Sequence, residues 1–169
     1  MPGLADLRAA KDAFFRDDPH SPLLPGQRAT FRGLRYYPEN PALVFEVEPE
    51  IFDQPEVVTM QTSTGDEQDY LRWARVRFTV DGHEGALTVF RDAEGGYFLP
   101  FTDAGRGSET YGAGRYLEPE ELAGGRLRLD FNLAYNPYCA YNDAWSCPLP
   151  PAENHLPFHV RAGEMAFEH

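Results

Sequence analysis

Between residues 31 and 133 the apolar residues recur at every second position, not at the spacing of a helical face, and this period most restricts what the chain can fold into. Runs of this kind lie at about 31–37 (FRGLRYY), 42–48 (ALVFEVE), 56–62 (EVVTMQT), 70–80 (YLRWARVRFTV), 84–91 (EGALTVFR), 96–101 (GYFLPF), 113–117 (AGRYL) and 126–133 (RLRLDFNL), with one more at 158–162 (FHVRA). The connectors STGDEQD, DGH, DAEGG and EPEELAGG are turn chemistry, and Asp81-Gly82 is the clearest two-residue hairpin signal. The expected fold is therefore all-β, an antiparallel meander forming a barrel or sandwich.

Three regions break the period. At the N-terminus, Leu4, Leu7, Ala10, Phe14 and Phe15 share one helical face, which predicts one short helix at about 4–16 within segment 1–18. The stretch 19–30, PHSPLLPGQRAT, carries three prolines and a glycine and is expected to run as an irregular connection. In 134–157, Pro137, Pro148, Pro150 and Pro151 fix φ and remove donors, so this segment reads as a stiff, ordered cap near the C-terminus. With 169 residues, 42% of them hydrophobic, the chain suffices for one domain with its own core. Its parts are helix 1–18, meander 31–133, cap 134–157 and last strand 158–163.

Charge narrows the partners. Acidic residues outnumber basic ones 27 to 15, the net charge is −12, and no basic patch interrupts it. Nucleic acid and anionic membrane surfaces are therefore not expected partners, whereas a small polar or anionic ligand, or a homodimer, is compatible. No apolar run approaches the roughly 20 residues of a membrane span. The N-terminus lacks the basic and apolar regions of a secretion signal, so the expected location is cytoplasmic.

Alternation assigns faces to the strands. Ala74, Val76, Phe78 and Val80 fall on one side of 70–80, with Arg75 and Arg77 on the other. In 126–133, Leu127, Leu129, Phe131 and Leu133 point to the core, leaving Asp130 and Asn132 about 7 Å apart on the opposite face. In GSETYGAGRYLE, Gly112 and Gly114 bare the backbone near Glu109, Tyr111 and Arg115. Arg115 can grip a carboxylate or phosphate. The alternative is a β-bulge with an internal Arg115–Glu109 or Arg115–Asp130 ion pair.

The blocks LPFTDAGRGSETYGAGRYLE at 99–118 and LDFNLAYNPYCAYNDAWSCPLPPAENHLPFHVRAGE at 129–164 closely resemble the domain-of-unknown-function 1684 family, as do LRAAKDAFFRDDPHSPL and FRGLRYYP near the start. The resemblance covers nearly the whole chain and implies no assigned activity. Relatives of this kind look like small bacterial or archaeal proteins, some of them exported. One departure is Gly105, near which the family more often has a threonine.

Cys139 and Cys147 enclose seven residues. A disulfide there would stabilise by about 2.6 kcal/mol in the loop-entropy model. A zinc site would draw on Cys139, Cys147, His155 and His159, but the spacing is loose and Pro157 forbids a helix between the histidines. A thiolate nucleophile at Cys139 lacks an adjacent base. Structural cysteines fit best, with Asn136 and Asn154 tying down backbone in the same cap and no metal or cofactor expected. His20, His83, His155, His159 and His169 are scattered, and His83 beside the turn reads as an exposed hairpin residue.

Three functions fit these residues. A ligand-binding domain would line a polar pocket with Arg115, Asp130, Asn132, Tyr135 and Tyr111. A hydrolase would use Glu109 and Asp130 as acid and base. An interaction or scaffold domain would use the same polar cluster only to brace the cap.

Overall fold

Asp81 and Gly82 both have positive φ, 49° and 80°, the twist that lets a two-residue turn continue its flanking strands. In the computed structural model, which describes residues 3–167, they join β3 (Glu67–Val80) to β4 (His83–Arg91) in the register Val76↔Leu87, Phe78↔Gly85, Val80↔His83. His169 lies outside the described residues. The hairpin is the centre of a five-stranded antiparallel sheet. β2 (Glu50–Gln61) flanks β3, and β5 (Tyr97–Phe101) and β6 (Arg115–Leu117) follow β4, giving the order β2-β3-β4-β5-β6. Pro55 falls where the β2–β3 register shifts, between Ile51 and Glu56, on the sheet's edge strand, where a missing donor is tolerated.

A second antiparallel sheet pairs β1 (Val44–Val47), β8 (Leu127–Asp130) and β7 (Glu120–Glu121) in the order β1-β8-β7. The two sheets do not close into a barrel, so of the two expected architectures the sandwich describes the molecule. Ala74, Val76, Phe78 and Val80 are all buried, as their shared face predicts. Val76, Phe78, Leu87 and Phe101 from one sheet and Leu127 and Leu129 from the other meet, with Phe131, in one core cluster. Each fully buried Leu or Phe contributes roughly 2 kcal/mol.

Several expectations need correction. Helix α1 (Leu4–Asp17) lies where the spacing predicts it, but the supposed irregular connection contains a second helix, α2 (Pro25–Thr30), begun by Pro25 at the position that needs no donor. FRGLRYY makes no strand and contributes only a bridge from Tyr36 to Glu164, and 158–162 joins no ladder. The strand expected at 126–133 stops at Asp130, whose carboxylate accepts the Asn132 N–H at 3.0 Å and caps a 3-10 turn, Phe131–Leu133. That turn swings Leu133 outward to 46% exposure and carries Asn132 inward to 5%. Asp130 and Asn132 therefore do not share a solvated strand face.

β4 and β5 pair only at Phe90↔Phe98 and Arg91↔Tyr97. Beyond that point the side chain of Asn154 reaches between them: its oxygen accepts the Thr88 N–H at 2.8 Å, and its amide donates to the carbonyls of Thr88 and Pro100 at 2.9 and 2.8 Å. The cap is thus stitched into the sheet by a residue that imitates backbone.

Candidate functional site

The site is assembled from Arg115 outward. Gly114 precedes it with φ 104°, and a Cβ there would lie 2.6 Å from the Phe101 carbonyl, so only glycine lets the two segments approach. Arg115 is 1% exposed. Its guanidinium donates to Asp103 Oδ2 at 3.1 Å, to the Val160 carbonyl at 2.8 Å, to that of Glu164 at 3.2 Å, and to that of Ala162. Burial pulls the Arg115 pKa down, and the Asp103 carboxylate opposes that shift. Asp103 in turn accepts the N–H of Val160 at 2.8 Å and of Gly105 at 3.0 Å, and the Thr110 hydroxyl at 3.2 Å. The ion pair is therefore saturated, the condition under which two charges survive desolvation.

This pair does for 160–164 what a neighbouring strand would do. Because it holds Val160 and Ala162 inward, the alternate residues His159 and Arg161 project the other way. They line a cleft of about 500 Å3 with His83, Asp81 and Thr79 from the hairpin end and Asn40, which caps the 3-10 turn before β1. His83 stacks on Phe158 at 6.0 Å between ring centroids. Gly85 makes room for Phe158, since a Cβ there would come within 2.8 Å of its ring.

Behind the cleft, Arg161 grips Glu109 through two bonds of 3.0 Å each, and the Tyr37 hydroxyl donates to the same carboxylate at 2.9 Å. The Arg161 bonds first, and then that of Tyr37, hold the Glu109 pKa down at about 2. Burial and the Glu109 bond push Tyr37 up. His159 Nδ1 lies 3.7 Å from Glu109 Oε2 and has no hydrogen-bond partner. A Cβ on Gly105 would sit 3.0 Å from that nitrogen, so the missing side chain is what admits the imidazole. A carboxylate fixed in its ionised form thus lies beside an imidazole on the wall of an open cleft.

The residues singled out from the sequence do not gather in one pocket. Arg115 is sealed behind the cleft and pairs with Asp103, not with Glu109 or Asp130. Asn132 accepts the Asn40 N–H at 2.8 Å, returns a bond to the Asn40 carbonyl at 3.0 Å, and donates to Asp130. Asp130 and Asn132 therefore brace the cleft's rim at Asn40. Tyr135 donates to Glu118 at 2.9 Å, and Tyr111 points at Cys139. Local reading of the sequence takes His83 for an exposed hairpin residue and His159 for a zinc candidate and passes over Arg161; the three line one cleft only in the folded chain. Asp103 did leave a signal, the Asp-x-Gly turn at 103–105.

Cys139 and Cys147 are both buried and unbridged. His155 Nδ1 is engaged by Thr102 at 2.8 Å and His159 faces Glu109, so the four residues considered for zinc lie in three separate places. Among the described residues no group of three or more His, Cys, Asp or Glu is placed to hold a metal, and no helix is long and apolar enough to cross a membrane. A second groove of about 310 Å3, lined by Met60, Phe90, Leu149, Pro150 and Pro151, runs between β2 and the cap and is mostly apolar.

A family model described as "Protein of unknown function (DUF1684)" matches residues 29–165. Among solved structures, the solution NMR structure of an uncharacterised protein of Haloarcula marismortui is similar, with 40% sequence identity, a TM-score of 0.72, and coverage of 96% of this chain and 91% of that one. No curated protein matches the chain.

Proposed function

Since the chain belongs to the family of proteins of unknown function DUF1684, we propose its role from its own residues: it binds a small polar or anionic ligand in the cleft bounded by His83, His159 and Arg161. The observation that carries this reading is the convergence of one guanidinium and two imidazoles on a single cleft in a chain of net charge −12. About 500 Å3 also falls within the range of small-ligand sites. Arg161 is pre-oriented by Glu109 through Nε and Nη2, and its Nη1 takes no part in that pair. In this reading Arg115, Asp130 and Asn132 hold the walls in place and do not touch the ligand.

The test is titration with inorganic phosphate and with a small dicarboxylate, following the His83 and His159 ring resonances by NMR. Saturable shifts at both rings, weakened at least tenfold by Arg161→Gln, are expected. Absence of saturation, or shifts centred on other residues, would sink the reading.

The proximity of Glu109 Oε2 to His159 Nδ1 favours a second reading, hydrolysis with His159 as general base. Glu109 would then orient the imidazole; held ionised, it supplies no proton near neutral pH, and Asp130 belongs to the Asn132 network instead. Turnover on a panel of simple esters that vanishes in His159→Gln, with the variant still folded, would select this reading over binding alone.

A further inference from the structure

Apart from the cleft, one pair of reactive groups has no role in anything described above. Cys139 and Cys147 are 3% and 6% exposed, and the Cys139 N–H points at Cys147 Sγ at 3.3 Å. Tyr111 directs its hydroxyl toward Cys139 Sγ at 3.6 Å, and Tyr116 completes the same buried cluster with Phe98, Tyr135 and Tyr138 around it. Four exposed residues, Asp143–Ser146, belong to the loop that joins the two cysteines. The far side of that loop is clipped to the end of β2: Ser63 donates its N–H to the Cys147 carbonyl at 2.9 Å and accepts the Cys147 N–H on its hydroxyl at 3.1 Å.

We propose that Cys139 and Cys147 are a redox-active dithiol site for small hydroperoxides, Cys139 attacking first and Cys147 resolving the product to a disulfide. The environment divides the roles. Cys139 sulfur faces the Cys147 thiol first and then the Tyr111 hydroxyl, 3.6 Å away, which lowers its pKa to about 6, whereas donation to Cys139 and burial both raise that of Cys147. Burial favours a small oxidant over a bulky disulfide. In the first step the Cys139 thiolate takes the terminal oxygen of the hydroperoxide, the O–O bond breaks, and the alcohol, or water from hydrogen peroxide, leaves with a proton; Cys139 is now a sulfenic acid. In the second, the Cys147 sulfur attacks Cys139 Sγ, the S–O bond breaks, and water leaves, carrying the Cys147 proton. Two equivalents of a small thiol return the disulfide to the dithiol and are themselves oxidised to a disulfide.

The test uses the reduced full-length protein and hydrogen peroxide. Intact mass should fall by two hydrogens, and digestion should yield one cross-linked peptide pair joining Cys139 to Cys147, lost on treatment with a dithiol. Cys147→Ser should instead gain one oxygen at Cys139 that a sulfenic-acid trap captures, while Cys139→Ser should react at least tenfold more slowly. A wild-type mass that does not change in excess peroxide, or equal rates in the two variants, overturns the proposal. Should either variant fail to fold, the wild-type mass and peptide map decide alone.

Discussion

The β2–β4 ladder and the segment from Asp130 to Met165 satisfy their backbones in opposite ways. In the ladder, residues of β3 pair with neighbours on both sides apart from one register shift on each, so the hydrogen bonds are many and each is replaceable. In the C-terminal segment, ladders are scarce and side chains stand in for them. Asn154 bonds to Thr88 and Pro100, Arg115 collects the carbonyls of 160, 162 and 164, and Asn132 closes on both backbone groups of Asn40. The buried Glu164 carboxylate takes the Asn136 N–H at 3.0 Å and the Tyr141 hydroxyl at 2.7 Å, and pairs with Lys11. Buried backbone must be satisfied by something. Where side chains do it, stability concentrates on a few residues, and those residues also shape the cleft.

The most severe way to break this arrangement is Arg115→Met, which strands the Asp103 charge in the core and frees three carbonyls. A loss of about 3–5 kcal/mol is expected, the usual cost of removing one partner of a buried pair. Denaturant unfolding measures it, and hydrogen exchange should show the amides of 160–164 opening before those of β3. A loss under about 1 kcal/mol would mean that the segment is held by apolar contacts instead. Next comes Asn154→Asp, which keeps the acceptor for the Thr88 N–H but sets a second oxygen against the carbonyls of Thr88 and Pro100. About 2–3 kcal/mol should be lost, in keeping with buried groups left unpaired. If the variant matches the parent, β4 and β5 do not depend on the cap.

The same contrast explains what could be read from the sequence. The hairpin was legible because both of its determinants are local: a period of two over 70–80 and Asp81-Gly82 between the strands. The face assignment failed at Asn132 because Asp130 caps the chain into a 3-10 turn, the competition with regular structure that short polar side chains offer. The sequence offers Glu109 or Asp130 as the internal partner of Arg115, whereas the structure pairs it with Asp103, at the other end of the β5–β6 loop. His83 and Arg161 are 78 positions apart (161 − 83) and share a cleft through tertiary contacts, the Arg115–Asp103 pair among them, so no spacing rule joins them.

The gentlest probe of the arrangement is acid. Glu109 is held at a pKa of about 2, below the roughly 4.3 of an unfolded chain, so between these values the unfolded state binds more protons. Its contribution is therefore complete above the unfolded value and disappears as pH falls toward 2. Because the carboxylate is 34% exposed, solvent and salt screen the Arg161 pair, and the effect should be smaller than either core substitution produces. Glu109→Gln keeps an oxygen for the Tyr37 hydroxyl but removes the charge. The variant should be slightly less stable than the parent at pH 7, and the two denaturation midpoints should converge as pH approaches 2. A gap that is unchanged at low pH would show that Glu109 acts through shape alone; one that closes would make it an electrostatic clasp, fastening Arg161 and the wall it belongs to at neutral pH and releasing them in acid.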